Sequence, residues 1–103
     1  MPRQPEGRAV QRIRAYLEGR GAFVVKIHGG DNPFQEVGIP DLLVCYRGYF
    51  IGLEVKQPGE DPTQVQLAVG RRIESALGRF AIVSSVDDVE RLLRKLRRKG
   101  SSA

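Results

Sequence analysis

The chain has 103 residues, of which 41% are hydrophobic and 28% charged, a balance typical of one folded domain and not of a disordered chain. Seventeen Lys and Arg against twelve Asp and Glu give a net charge of +5. This excess favours a polyanionic partner, although a basic surface can also serve solubility alone. The single cysteine excludes an intramolecular disulfide and a cysteine-clustered zinc site.

The two ends of the sequence bear on location and on domain bounds. Residues 1–7 contain no apolar segment of a secretory signal, and no apolar run approaches the ~20 residues that cross a bilayer. A single thiol also suits a reducing compartment. We therefore expect a cytoplasmic protein without membrane contact, with one domain over residues 1–99 and a disordered tail at residues 100–103.

The first third of the chain predicts a helix, a strand and a loop. Over residues 6–20, apolar side chains recur at helical spacing, namely at Val10, Ile13 and Leu17. Gly21 supplies a stop for this helix. Residues 22–28 then alternate as a strand does, and residues 29–38, with three glycines and a proline, predict a loop.

The last third of the chain adds two helices and a strand. Thr63 is predicted to cap a helix that continues to about Leu77, and Gln66 completes the spacing of a capping box. Residues 79–84 indicate a short strand. A last helix opening near Ser85 directs four apolar residues to the core: Val89, Leu92, Leu93 and Leu96. The order α-β-β-β-α-β-α predicts an α/β fold, with a mixed sheet flanked by helices on both faces.

Between these thirds, two apolar runs flank Arg47 and Gly48, which predicts a tight hairpin. With a two-residue turn at this point, the strand register puts Asp41 opposite Glu54. Directly opposed residues on one face have Cβ atoms about 4.5–5.5 Å apart. Lys56 follows Glu54 by two residues, so it projects from the same face.

Two carboxylates this close repel each other and require a cation. A lysine offsets part of the charge, and two carboxylates with a nearby carbonyl also suit Mg²⁺, which prefers oxygen ligands and keeps waters and substrate phosphates around it. A lysine beside such a metal can orient the attacking water and stabilise negative charge on a phosphate. The pattern therefore predicts phosphodiester hydrolysis. The alternative is a solvated strand edge without function.

Three segments carry a family resemblance: Gly38-Ile39-Pro40-Asp41-Leu42-Leu43-Val44, then Ile51-Gly52-Leu53-Glu54-Val55-Lys56-Gln57-Pro58-Gly59, then Thr63-Gln64-Val65-Gln66. Over residues 6–85 the chain resembles the PD-(D/E)xK nucleases, and among them the VRR-NUC domains in their compact, stand-alone form. The resemblance implies a restriction-endonuclease-like α-β-β-β-α-β core, here with an extra C-terminal helix, and DNA cleavage that depends on Mg²⁺ or Mn²⁺.

The resemblance also assigns roles to residues. It implies metal ligands and a catalytic lysine at these positions: the carboxylates of Asp41 and Glu54, the carbonyl of Val55, and Lys56. Gln66 would contact the active site, and a plain capping role is compatible with that. Glu6 matches a first-helix glutamate that would hold metal-bound water, although Pro5 and Gly7 make the helix start uncertain; a favourable helix-dipole contact is its alternative.

Compact members of the family resemble structure-selective endonucleases that act as dimers on branched DNA, including four-way (Holliday) junctions. We therefore expect a homodimer acting on branched DNA, because two symmetric cuts need two active sites. Lys26, near the loop before Asp41, is a candidate phosphate contact, and otherwise an exposed strand lysine. The basic run of the last helix supplies three more candidates, Arg94, Arg97 and Arg98, with a solvated tail as the alternative.

Two other interpretations stay open. The chain could be a non-catalytic nucleic-acid-binding module of the same fold, which the intact Asp41, Glu54 and Lys56 argue against. It could also be an unrelated basic protein in which the carboxylates are coincidental. His28 and Cys45 are interpreted as an exposed strand-end residue and a packed thiol, because neither has a partner in the pattern that would make it reactive.

Overall fold

The computed structural model describes residues 5–28 and 36–101, with backbone alone at residues 5, 6 and 98–101. Three helices and four strands follow one another as α1 (Pro5–Gly19), β1 (Phe23–Lys26), β2 (Leu42–Tyr46), β3 (Tyr49–Val55), α2 (Gln64–Ser75), β4 (Arg79–Val83) and α3 (Val86–Ser101). This order confirms the α/β arrangement that the sequence predicts.

The four strands form one mixed sheet in the order β1-β2-β3-β4. The first three strands pair antiparallel, and β4 pairs parallel with β3. α2 makes the connection between those two parallel strands. β3 therefore has a neighbour on each side, and its last five residues are all buried.

One face of the sheet is closed by α1 and α3. Its core contains side chains spaced three or four apart on the helices and two apart on the strands: Val10, Ile13, Leu17, Leu42, Val44, Ile51, Leu53, Val89, Leu93 and Leu96. Burial of each such side chain contributes about 1.5–3 kcal/mol relative to exposure. This closed face supplies most of the apolar packing.

The other face is only half covered, because α2 lies over β3 and β4. The helix comes so close to β4 that a Cβ on Gly70 would lie 2.4 Å from the Phe80 ring. Beyond α2, the sheet presents what we call the open apolar patch, formed by Phe23, Val25, Leu43, Cys45 and Phe50. Phe23 keeps 69% of its surface exposed.

The hairpin between β2 and β3 has the predicted two-residue turn. Arg47 and Gly48 have φ angles of 51° and 86°, so both occupy the left-handed region that a type I′ turn requires. That region costs a residue with a side chain about 1–2 kcal/mol. Leu42 pairs with Leu53 across the hairpin, which is the register expected from the sequence.

The end of α2 differs from the prediction. The helix stops at Ser75, and Leu77 takes the left-handed conformation with φ 73°. The Gly78 N–H donates to the Ile73 carbonyl at 2.9 Å and the Leu77 N–H donates to the Glu74 carbonyl at 3.0 Å, the two bonds of a Schellman motif. The left-handed residue at the end of α2 is therefore Leu77, and Gly78 is the residue after it.

The last helix also runs further than predicted. α3 continues to Ser101, so residues 100 and 101 are helical and the expected tail at 100–103 is wrong for them; residues 102 and 103 lie outside the described part. The basic residues before Gly100 are good helix formers, and one glycine opposes them by only about 1 kcal/mol. Within the described residues, no helix has the length and apolarity needed to span a membrane.

Candidate active site

The loop that leads into β2 fixes the backbone of Asp41. Gly38 has φ 85°, and a Cβ at this position would lie 2.6 Å from Cγ1 of Val65, so the loop is pressed against the start of α2. The Asp41 carbonyl then accepts the Ile27 N–H at 2.9 Å. The Asp41 carboxylate points toward β3, where its Oδ2 accepts the Val55 N–H at 2.8 Å. Asp41 is thus held by the strands on both sides of it.

Glu54 lies beside Asp41 on the half-covered face. Because Leu42 pairs with Leu53, the next residues along the two strands, Asp41 and Glu54, stand opposite each other. Only 3% of Glu54 is exposed, and it is the one polar or charged residue classed as buried within the described ranges. A carboxylate removed from water in this way is strongly unfavourable unless charge and hydrogen bonds compensate it.

That compensation comes from two side chains that meet one carboxylate oxygen. Gln66 donates from Nε2 to Oε2 of Glu54 at 2.8 Å. The ammonium of Lys56 lies 3.7 Å from the same oxygen and 3.9 Å from Oε2 of Glu60. The Lys56 side chain is 12% exposed, so its charge acts where solvent screening is weak.

The amide of Gln66 is oriented by the helix cap. Thr63 donates its N–H to Oε1 of Gln66 at 2.8 Å, and the Gln66 N–H donates to Oγ1 of Thr63 at 3.1 Å, which completes the predicted capping box. Since the amide oxygen serves the cap, the amide nitrogen is the atom that faces Glu54. The capping role and the contact with the site are therefore both present.

Glu60 is a member of the site that the sequence prediction missed. Gln57 donates its N–H to Oε1 of Glu60 at 3.0 Å, and the Glu60 N–H donates to the Gln57 carbonyl at 2.9 Å. Pro58 and Gly59, with φ 85° at the glycine, suit the central positions of a type II turn. The turn places Glu60 beside Lys56 at the end of β3. The Pro58-Gly59 pair that predicts this turn is present in the sequence.

The other residues predicted for the site do not all lie beside Asp41 and Glu54 in the described structure. Glu6 lies in the first turn of α1, and its side chain is outside the described part. Val55 donates its N–H to Asp41, while the metal-binding role of its carbonyl stays a prediction. Lys26 pairs with Leu42, which faces α1 and α3, so it lies on the sheet face opposite the carboxylates. The contact of Lys26 with a phosphate near the scissile bond stays a prediction.

The predicted arginines of α3 also separate. Arg94 forms an ion pair with Glu90 at 3.2 Å. Arg97 donates from Nη1 to the Tyr46 hydroxyl at 3.2 Å, at the hairpin end of the sheet and not at the carboxylate end. The side chain of Arg98 is outside the described part.

The donor set at the carboxylate end fits a magnesium-type ion. Asp41 and Glu54 supply two carboxylates on one face, and Mg²⁺ usually takes one or two carboxylates together with waters and substrate oxygens. No group of three or more His, Cys, Asp or Glu side chains that could hold a metal ion is found anywhere among the described residues, this site included. The residues present therefore agree with an ion that is completed by water and phosphate, and not with a closed protein cage.

Comparison with known proteins identifies the fold. A solved structure described as "VRR_NUC domain" matches with a TM-score of 0.74 and 28% sequence identity, over 89% of this chain and 97% of that chain. No protein-family model and no curated protein matches the chain. This match in structure supports a nuclease domain, and it agrees with the broader resemblance to the PD-(D/E)xK nucleases. The structural match confirms the more particular resemblance, to VRR-NUC domains.

Proposed function

We propose that the protein is a divalent-metal-dependent endonuclease that hydrolyses phosphodiester bonds in DNA. The observation that supports this most directly is the convergence of Asp41, Glu54 and Lys56 on one face at one end of the sheet. Two buried or half-buried carboxylates with an ammonium group suit a metal and a phosphate far better than they suit structural stability, because a buried ion pair is weakly stabilising at best.

In this proposal, Asp41, Glu54 and the Val55 carbonyl hold Mg²⁺ or Mn²⁺. The ion would polarise the phosphate and lower the pKa of a bound water. Asp41 is prepared for this by its bond to the Val55 N–H, and Glu54 by its bond from Gln66. These bonds fix the carboxylates before the substrate arrives, so little reorganisation is needed during the reaction.

Lys56 contributes a charge held in position. Glu54 and Glu60 both lie within 4.0 Å of its ammonium, which limits where that group can move. From there it stabilises the negative charge that develops on the phosphate and orients the attacking water. Glu6, in the first turn of α1, is the residue that would hold metal-bound water in this proposal.

We further propose that the enzyme prefers branched DNA, such as four-way junctions, and acts as a homodimer. The resemblance supports the substrate, and two symmetric cuts require two copies of the site. The open apolar patch supports the dimer, because Phe23, Cys45 and Phe50 lie side by side across three strands and all three are exposed, with Phe50 at the border of α2. A second copy would remove this apolar surface from water.

Cleavage of matched substrates tests the activity. We expect the pure protein to cut a four-way junction faster than a linear duplex or a single strand in Mn²⁺, and to cut nothing in EDTA. Asp41→Asn should abolish cutting while DNA binding persists. Binding without metal-dependent cutting would instead favour the non-catalytic module, and equal rates on all three substrates would contradict the preference for branches.

Light scattering tests the dimer. Phe23→Glu should convert a dimer to a monomer, because it introduces a charge into the open apolar patch. Val65→Glu is the matched control, since it adds the same charge at an apolar side chain that is 47% exposed but lies at the start of α2, against Gly38. A monomeric wild-type protein, or a dimer that Phe23→Glu leaves intact, would contradict this interface.

A further inference from the structure

The end of the sheet that is remote from the carboxylates holds a second charged cluster. An open pocket of about 430 Å³ is lined by Gly19, Arg20, Tyr46, Arg47 and Arg97. These residues come from the end of α1, the end of β2, the hairpin turn and the last third of α3. We call this the arginine pocket. Its lining includes three guanidinium groups and no acidic side chain.

The acids nearest to these three arginines form ion pairs with other arginines, although Glu90 also acts on Arg97 through its charge. Glu18, next to Gly19, pairs with Arg14 at 3.3 Å. Glu90, seven residues before Arg97 on α3, pairs with Arg94 at 3.2 Å. None of the ion pairs found within the described residues includes an arginine of the pocket. Three cations that line one pocket without an acidic side chain in that lining give it a positive potential, which attracts anions.

Aromatic rings hold these cations in the pocket. Arg97 donates to the Tyr46 hydroxyl at 3.2 Å, and the guanidinium of Arg20 lies 5.9 Å from the ring centre of Tyr16. The hydrogen bond from Arg97 lowers the pKa of Tyr46, and the charges of Arg97 and Arg47 add to that lowering. The Tyr46 hydroxyl therefore lies close to two of the guanidinium groups that line the pocket.

The third cation occupies a backbone position that the turn alone does not favour. Arg47 is the first central residue of the type I′ turn, with φ 51°, where Asn or Gly is preferred. An arginine there keeps a guanidinium at the rim of the pocket in spite of an unfavourable backbone conformation. Sequence reasoning treated this residue only as part of a turn.

We infer that the arginine pocket binds a phosphate group of the nucleic-acid backbone, away from the bond that is cut. Guanidinium groups bind phosphate oxygens in a planar, two-pronged manner, which suits Arg20, Arg47 and Arg97 around one oxyanion. The inference rests on the proposed nuclease function only for the source of that phosphate. The pocket is a binding site and has no part in the chemical step.

The distance between the arginine pocket and the carboxylates determines how long a DNA substrate must be to contact both. Asp41 and Tyr46 lie five residues apart along the chain, which is about 17 Å at the usual strand rise. One DNA strand carries a phosphate about every 3.4 Å of helix axis, so the two sites lie roughly five base steps apart or more. Tyr46 pairs with Tyr49 on the α1 and α3 side of the sheet, so a nucleic acid that fills both sites has to pass around the molecule or bend.

Binding of a fluorescent DNA duplex in EDTA tests the inference without any cleavage. Arg47→Asn removes the guanidinium but suits the left-handed turn, so the fold is retained. We expect this variant to bind about five- to tenfold more weakly, with the slope of log affinity against log salt reduced by about 0.9, as for one lost phosphate contact. Arg97→Gln should act in the same direction.

Arg91→Gln is the matched control. It removes an equal charge from α3, but at an arginine that already pairs with Asp88, so its salt slope should stay at the wild-type value. Equal slopes for Arg47→Asn and wild type would overturn the inference. So would a loss in Arg91→Gln as large as that in Arg47→Asn, because general charge would then explain both.

A titration with inorganic phosphate, followed by NMR at the Arg47 and Gly48 amides, distinguishes the sources of the anion. Weak, saturable shifts that disappear in Arg47→Asn, together with the altered DNA slope, support a backbone phosphate site. Phosphate shifts with an unaltered DNA slope would mean a free-phosphate site and overturn the assignment to nucleic acid. If the protein binds DNA through Arg47 but never cuts it, the proposed function fails and this inference stands.

Discussion

The two ends of β2 and β3 carry opposite charge and are built in different ways. At the carboxylate end, Asp41 and Glu54 are half-buried or buried, and each is fixed by a hydrogen bond of 2.8 Å from a different element. At the hairpin end, Arg47 is exposed and Arg97 makes one contact of 3.2 Å with Tyr46. The carboxylate end is therefore more buried and more closely hydrogen-bonded than the hairpin end.

This difference follows from what each end is proposed to do. Bond cleavage needs charges within fractions of an ångström of their working positions, and burial with several hydrogen bonds supplies that. Binding a backbone phosphate needs positive charge near the surface, and guanidinium groups supply it. Substitutions at the carboxylate end should therefore affect rate, and substitutions at the hairpin end should affect affinity and its salt dependence.

Asp41→Asn should have the largest effect. The asparagine oxygen can still accept the Val55 N–H, so the melting temperature should change little, while loss of the negative charge weakens the metal site. We expect cleavage to fall about a thousandfold, since a metal contributes several kcal/mol to such reactions. Asp41→Ala is the comparison, because it also leaves the Val55 N–H without that acceptor. A large drop in melting temperature for Asp41→Asn itself would make Asp41 structural.

Lys56→Ala should lower turnover by about a hundred- to a thousandfold, as the loss of one positioned electrostatic group does elsewhere. Affinity for Mn²⁺, measured by calorimetry, should stay close to the wild-type value, because the carboxylates remain. A complete loss of metal binding would argue that Lys56 holds the carboxylates in place and does not act on the substrate.

Gln66→Glu separates the cap from the site. Glutamate at this position keeps the capping box, but it places a carboxylate where an amide donor met Glu54. We expect activity to fall about ten- to a hundredfold, the usual effect of losing a residue that orients a metal ligand.

Thr63→Ala is the reverse control for Gln66. It removes the cap, which should lower the free energy of unfolding by about 1 kcal/mol, with a smaller effect on rate. Chemical denaturation and initial rates on the same preparations would measure both. If Thr63→Ala lowered activity as much as Gln66→Glu, the contact with Glu54 would have no separate importance.

The smallest effects concern the two left-handed side chains, Arg47 and Leu77. Arg47→Asn and Leu77→Gly should each raise the free energy of unfolding by about 0.5–1 kcal/mol, because the new residues tolerate positive φ. Only the change at Arg47 should alter DNA binding. If both variants lost the same DNA affinity, the hairpin end would be no more important for DNA binding than the end of α2.

The features that sequence reasoning predicted correctly are those fixed by local chemistry. The two-residue turn at Arg47 and Gly48 determines the register of β2 and β3, and with it the opposition of Asp41 and Glu54. The capping box depends on residues three apart. Both can be predicted without knowing any long-range contact.

The features that sequence reasoning missed depend on contacts between distant segments. No tight turn joins β1 to β2, so the pairing of Lys26 with Leu42 could not be deduced, and the alternation of β1 did not reveal which side faces α1 and α3. The meeting of Arg20, Arg47 and Arg97 likewise requires three elements to be in place. The extra helical residues at the end of α3 reflect helix propensity outweighing one glycine.

The side-chain amide of Gln66 connects the formation of α2 to the orientation of Glu54. Gln66 uses its oxygen to begin α2 and its nitrogen to hold Glu54, so the first turn of that helix and the catalytic carboxylate become ordered together. A chain in which α2 has not yet formed would carry an acid without its orienting donor. If the proposed function holds, a copy whose α2 has not formed should therefore cut DNA more slowly than the folded protein.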